Sequence, residues 1–219
     1  MDSLGLGTDP FLLILVLVGL SLAPFIAVMV TSFAKLAIVF FLLRNALGIQ
    51  EIPPNIVLNG LALILTIYIM APIGVAVFER LEGEDLSTLE TGVLLETLAD
   101  AAEPWREFLV KHTDPGTRDF FVDAAKDIWP ASMADGITRD NLLVLVPSFT
   151  ASELRRAFEI GFLIYLPFIV IDLVISNILL AMGMMMVSPM TISLPFKLFL
   201  FVLLDGWTRL IQGLVLSYG

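Results

Sequence analysis

The sequence has 219 residues, 58% of them hydrophobic, and a mean hydropathy of +0.94. These values exceed those of a soluble domain and indicate a membrane protein. The net charge of −10 excludes a polybasic surface for nucleic acid, and the absence of cysteine excludes disulfides, thiolate metal sites and cysteine nucleophiles.

The first apolar segment extends from Phe11 to Leu43, with Lys35 as its only charge. It is longer than the roughly 20 residues that one membrane span requires, and Pro24 is expected to divide or kink it. Asp2 and Asp9 stand where a secretory signal would carry basic residues, so we expect this segment to remain in the mature protein.

A second apolar segment follows from Ile56 to Phe78, after a loop that contains Pro53 and Pro54. Residues 1–78 are therefore predicted to form an N-terminal helical hairpin. The few basic residues near the two hairpin tips weakly favour tips on the cytoplasmic side and an external position for the region between the hairpins.

The region 79–149 is acidic and differs in composition from the apolar segments on either side. Between Glu79 and Glu159 there are 17 acidic and 8 basic side chains, which account for −9 of the net charge. Ser87 and Glu90 have the spacing of a capping box, and Asp114 followed by Pro115 is typical of a helix start. We predict a small acidic helical domain between two hairpins.

Residues 150–219 are predicted to form the second apolar hairpin, with a methionine-rich turn. Thr150 and Glu153 have capping-box spacing and are expected to open a helix that runs to Ala181, about 45 Å long and so longer than a hydrocarbon core of roughly 30 Å. A last segment, Ile192 to Leu216, completes the hairpin. The predicted fold class is all-α and membrane-associated.

Charged residues inside these apolar segments need partners. Asp172 and Lys197 lie at heights that differ by about 7 Å along the hairpin, which a lysine side chain can largely cover. An ion pair between helices or subunits is one interpretation, and a proton relay at Asp172 is the other. Asp205 and Arg209 have the i, i+4 spacing of a local ion pair.

Methionines crowd the turn of this second hairpin. Such side chains either fill gaps in a core or form a flexible apolar ring that closes a pore in an oligomer. The sequence leaves both alternatives open. The residues concerned are Met182, Met184, Met185, Met186 and Met190.

Catalytic motifs are not found. His112 is the only histidine and is expected to be a surface residue, and neither a zinc-protease, a serine-hydrolase nor a phosphate-loop pattern occurs. We therefore predict a protein without catalytic or metal-binding residues.

Three stretches resemble the FliP/SctR family of type III export-gate proteins, and more closely its virulence-type members. Residues 147–162 read PSFTASELRRAFEIGF, residues 167–173 read PFIVIDL, and residues 182–207 read MGMMMVSPMTISLPFKLFLFVLLDGW. They cover essentially the C-terminal third in order, and the layout of two hairpins around an acidic domain agrees with the remainder.

The resemblance implies a homopentamer that joins SctS/FliQ-like and SctT/FliR-like subunits in a helical cone at the bacterial inner membrane, largely toward the periplasm. Unfolded polypeptides would pass through its centre. It also implies that the protein needs no cofactor, since ATP and proton-motive force act through other components. A secondary transporter or proton-conducting subunit that uses Asp172 is the alternative.

The same resemblance implies roles for single residues. Met184, Met185 and Met186 would form the methionine gasket, a ring that closes the resting channel. Asp172 and Lys197 would belong to a structural salt-bridge network, and Glu153 would reach a neighbouring subunit, with Arg118 as a candidate partner.

Overall fold

The computed structural model describes residues 10–82 and 91–219. Within these ranges the chain forms ten helices and no strand, which confirms the predicted all-α class. In chain order the helices are α1 (Pro10–Met29), α2 (Phe33–Leu47), α3 (Asn55–Leu81), α4 (Thr91–Ala101), α5 (Glu103–His112), α6 (Pro115–Ile128), α7 (Ala131–Ala134), α8 (Leu142–Ala181), α9 (Pro189–Leu203) and α10 (Gly206–Leu216).

Packing divides the chain into two compact units. The first comprises Met1–Ser32 and Met70–Ser152, and the second comprises Phe33–Ile69 and Glu153–Gly219. These boundaries differ from the predicted 1–78, 79–149 and 150–219, because the first unit combines α1 with the acidic helices and the second combines α2 with the last hairpin. Helices α3 and α8 contribute to both units.

The interruption of the first apolar segment lies after Met29 and not at Pro24, which is inside α1. In the first unit, side chains satisfy the carbonyl groups that the helix end leaves without intrahelical donors. Trp105 Nε1 donates to the Val30 carbonyl oxygen at 3.0 Å, and Thr150 Oγ1 donates to that of Met29 at 3.0 Å.

The start predicted for α6 is confirmed. The helix begins at Pro115, and the Asp114 side chain accepts a hydrogen bond from the Thr117 backbone N–H at 3.0 Å. The capping box proposed for Ser87 and Glu90 lies outside the described residues.

The expectation that His112 is a surface residue is wrong, since it is 5% exposed. Phe108 and His112 are four residues apart on α5 and therefore share its inward face. Their ring centroids lie 4.6 Å apart. The adjacent Lys111 is exposed, so a charge next to this histidine in the sequence does not indicate whether the histidine is buried.

The capping box predicted for Thr150 and Glu153 is also wrong, because both residues lie inside α8. That helix begins at Leu142, where Asn141 Oδ1 accepts a hydrogen bond from the Leu143 backbone N–H at 2.9 Å. With 40 residues, α8 is about 60 Å long, roughly twice the thickness of a hydrocarbon core.

The last apolar segment is broken, where a single helix was expected. Helices α9 and α10 meet at an angle of 60°. Asp205 lies at the break in the left-handed conformation (φ 51°, ψ 48°). A Cβ atom on Gly206 would come within 2.2 Å of the Phe201 ring, so the close packing at this break requires glycine.

Helices α3 and α8 are each long and apolar enough to cross a membrane, with mean hydropathies of 2.4 and 2.3 over their best windows. Only 11% of the residues in each window are buried within the chain. Most of their apolar surface is therefore left to contact lipid or other chains.

Replacing Gly161 by alanine should destabilise the second unit, because the new Cβ would lie 2.2 Å from Leu42 Cδ1 and 3.2 Å from Leu42 Cβ. We expect a loss of about 1–3 kcal/mol, measured as a lower midpoint of thermal unfolding in detergent, and partial recovery on adding Leu42→Ala. The matched control is Gly213→Ala in α10, where a Cβ meets no heavy atom within 4 Å. Equal losses in the two variants would contradict the close α2–α8 crossing.

Candidate functional site

A fully buried carboxylate on α8, that of Glu153, lies at the centre of the first charged cluster in the second unit. Lys35 Nζ on α2 lies 3.2 Å from Glu153 Oε2, and Arg156 Nη1, one turn along α8, lies 3.1 Å from Oε1. The Tyr218 hydroxyl, beyond the end of α10, donates to Oε2. The cluster therefore ties together α2, α8 and the segment that follows α10.

The Lys35 ammonium has two further partners besides the Glu153 carboxylate. It donates to Ser217 Oγ at 3.1 Å and lies 3.6 Å from the centroid of the Tyr218 ring, a cation–π contact. The side chains of Lys35 and Glu153 are each 1% exposed. At this burial either charge alone would be costly, so the two are stable only together.

The second cluster joins α8, α9 and the end of α2. Lys197 Nζ lies 2.6 Å from Asp172 Oδ2 and donates to the Ala46 carbonyl oxygen at 3.3 Å. Ser193 Oγ donates to Asp172 Oδ1 at 2.6 Å. Ser193 and Lys197 are four residues apart on α9 and therefore face the same carboxylate.

Exposure differs within this second cluster. The Lys197 and Ser193 residues are 3% and 0% exposed, whereas the Asp172 side chain is 38% exposed. The carboxylate thus lies at the edge of the packed region. It keeps one partly open side although both of its oxygens accept hydrogen bonds.

The local pair expected between Asp205 and Arg209 is not formed within the described part of the chain. Asp205 lies at the break before α10, whereas Arg209 lies on α10. The side-chain geometry expected for an i, i+4 pair on one helix therefore does not apply to these two residues. Asp205 Oδ1 accepts a hydrogen bond from Thr208 Oγ1 at 2.9 Å instead.

Arg118, considered as a partner for Glu153, pairs differently within the chain. Its Nη1 lies 3.4 Å from Asp140 Oδ1 in the first unit. Its Nε is buried and has no hydrogen-bond partner among the described residues.

The methionine turn lies between α8 and α9. Gly183 has a left-handed φ of 72°, and backbone hydrogen bonds from Gly183 and Met184 to Leu180 and Leu179 close the end of α8. After this closure Met184, Met185 and Met186 are 42%, 82% and 101% exposed, so they do not fill a core within the chain.

Sequence analysis missed the roles of Lys35, Ser217 and Tyr218. One signal was available, because a lysine inside an apolar segment requires a buried carboxylate. The hydroxyl partners could not be found in this way, because serine and tyrosine are common at helix ends and carry no spacing signal.

The fold and these clusters define a helical membrane protein whose buried charges are paired across helices. The profile of the FliP family matches residues 16–214. The chain belongs to this family.

Curated relatives match over nearly the whole chain. The chain is 60% identical to "Yop proteins translocation protein R" of Yersinia pestis over 96% of its length and 97% of the relative's. It is 50% identical to "Virulence protein YscR" of Salmonella typhimurium over 98% and 100%. It is 47% identical to "Hypersensitivity response secretion protein HrcR" of Ralstonia nicotianae over 94% and 96%.

Replacing Glu153 by glutamine should destabilise the protein strongly, because Lys35 would remain buried without its counter-charge. We expect a loss of about 3–5 kcal/mol in the free energy of unfolding, measured by denaturant or thermal unfolding in detergent. Adding Lys35→Met should recover part of this loss.

Glu159→Gln on the same helix is the control for Glu153→Gln. The Glu159 carboxylate pairs with Arg155 at 2.9 Å, and both side chains are more than half exposed. Such a surface pair contributes about 0.3–0.5 kcal/mol. Similar losses for the two variants would show that the buried cluster is not the stabilising element.

Proposed function

We propose that this protein is a membrane subunit of the export apparatus of a type III secretion system, where it forms an oligomeric gated channel for unfolded polypeptides. Family membership supports the apparatus, since three relatives are named for translocation, secretion or virulence. The observation that carries the gate is the turn between α8 and α9, which exposes Met184, Met185 and Met186.

Copies of this turn, arranged around an axis, would form the gasket. Methionine side chains are unbranched and flexible, so a ring of them can close a narrow opening and yet rearrange around cargo of varied shape. A hydrophobic constriction of this kind opposes the passage of water and ions. The mechanism is physical and includes no reaction catalysed by the protein and no cofactor.

Rigid support of the turn is the role we assign to the buried charges. The pair between Asp172 and Lys197 links the two helices that carry the turn, and the cluster at Glu153 attaches α8 to α2. In the assembly, Glu153 would also reach a neighbouring subunit. Arg118, whose Nε lacks a partner among the described residues, is available for such a contact.

The assembly that we propose is a homopentamer completed by SctS/FliQ-like and SctT/FliR-like subunits in a helical cone. It would lie at the bacterial inner membrane, largely toward the periplasm. The apolar faces of α3 and α8 that stay uncovered within the chain are available for these contacts. The 40-residue length of α8 suits an assembly that extends beyond the hydrocarbon core.

Replacing Met184, Met185 and Met186 together by alanine should raise ion leakage through the assembled complex several-fold, because the shorter side chains leave the constriction open. The measurement is ion flux in proteoliposomes that contain the complex with its partner subunits. Met133→Ala in α7, which removes a methionine that is 58% exposed, is the control and should not change the flux. Unchanged flux in an assembled triple variant would contradict the gasket.

A secondary transporter or proton-conducting subunit is the alternative, supported by the partly exposed Asp172 carboxylate. If the pair with Lys197 serves assembly, Asp172→Asn should reduce the amount of oligomer, and the exchanged pair Asp172→Lys with Lys197→Asp should restore part of it. Asp123→Asn, which alters an exposed pair on α6, is the control and should leave the oligomer intact. An intact Asp172→Asn oligomer that has lost transport would favour the carrier.

A further inference from the structure

The link between α2 and α3 borders a partly open, charged cavity that neither the gate nor the buried ion pairs use. It has a volume of about 450 Å³ and is lined by Arg44, Glu51, Pro54 and Asn55, all in the second unit. The cavity lies next to the first turn of α3, a helix long and apolar enough to cross a membrane. A charged cavity at this position is suited to a ligand of the membrane surface.

Arg44 is held in place by one edge of its guanidinium. Its Nη1 donates to the Pro53 carbonyl oxygen at 3.2 Å and to Asn55 Oδ1 at 2.6 Å, and its Cζ lies 5.2 Å from the centroid of the Phe41 ring. Within residues 10–82 and 91–219, its Nε and Nη2 donate to no protein atom. A fixed guanidinium with free donors is well suited to a phosphate group.

Glu51 supplies the opposite charge to the same cavity. It is exposed and has a left-handed φ of 62°, a backbone conformation that is unfavourable for a residue with a side chain. No lysine or arginine of the described chain pairs with its carboxylate. The cavity therefore presents the Arg44 guanidinium and the Glu51 carboxylate to one ligand, and neither group has an oppositely charged partner within the described chain.

Exposed apolar side chains continue from the cavity along the membrane helix. Ile52, Ile56 and Val57 are 66%, 80% and 53% exposed, and on the following turns of α3 Ile64 and Ile67 are 65% and 63% exposed. A ligand that fills the cavity would thus have an apolar surface beside it on which hydrocarbon chains can lie.

We propose that this cavity binds a zwitterionic phospholipid whose headgroup carries a primary ammonium. Its phosphate would accept hydrogen bonds from Arg44, its ammonium would donate to Glu51, and its acyl chains would lie along the exposed face of α3. A glycerol headgroup has hydroxyl donors for Glu51 but no cation, and a trimethylammonium headgroup has no N–H to donate to it. The proposal concerns the single chain in the membrane before it joins the oligomer, when the apolar face of α3 is still uncovered, so it can fail without affecting the gate.

The test is native mass spectrometry of the purified full-length protein after delipidation and addition of phosphatidylethanolamine, phosphatidylcholine or phosphatidylglycerol. We expect phosphatidylethanolamine to be retained at least about tenfold more than phosphatidylcholine, the effect of one charge-assisted hydrogen bond. Arg44→Gln should lose retention of all three lipids. Glu51→Gln should lose only the preference for phosphatidylethanolamine.

Two exposed residues on α8 provide controls with the same changes of charge. Arg155→Gln and Glu159→Gln should leave lipid retention unchanged. Because Arg44 also anchors the loop, Glu51→Gln, which removes no contact within the described chain, is the decisive variant if Arg44→Gln does not fold. Equal retention of the three lipids by the wild type, or a preference that survives Glu51→Gln, would overturn the proposal. Displacement of the lipid by an equal concentration of soluble glycerophosphoethanolamine would overturn the role of the acyl chains.

Discussion

The ion pair between Lys35 and Glu153 joins parts of the chain that are far apart in sequence. Each charge is buried so completely that it requires the other, and Tyr218 satisfies both, with its hydroxyl on the carboxylate and its ring against the ammonium. If α2, α8 or the segment after α10 left this cluster, a charge would remain unpaired in an apolar surrounding. The cluster therefore fixes the arrangement of the second unit.

The two ion pairs and the methionine turn have complementary physical properties. Buried charges with defined partners permit one geometry only, whereas exposed thioether side chains permit many. The pair of Asp172 with Lys197 lies on the helices that lead into and out of the turn. The second unit thus combines a rigid frame with a deformable tip, a combination that suits the channel seal we propose.

Local features of the fold could be predicted from the sequence, because their signals are local. The helix cap at Asp114 can be recognised from four consecutive residues. The approach of Lys197 to Asp172 follows from the helical rise along a hairpin. The burial of His112 and the left-handed Asp205 could not be predicted, since both depend on packing against residues outside their own helical turn. The FliP-family stretches in the C-terminal third indicate the family from the sequence alone.

The decisive measurement for the gated channel is the native mass of the detergent-purified protein, expressed alone and together with the SctS/FliQ-like and SctT/FliR-like subunits. We expect a discrete homopentamer of the 24.0 kDa chain that gains these partners on coexpression. Such an assembly would make a methionine ring geometrically possible. A stable monomer or dimer that does not bind these subunits would contradict the gated channel and favour a transporter that uses Asp172.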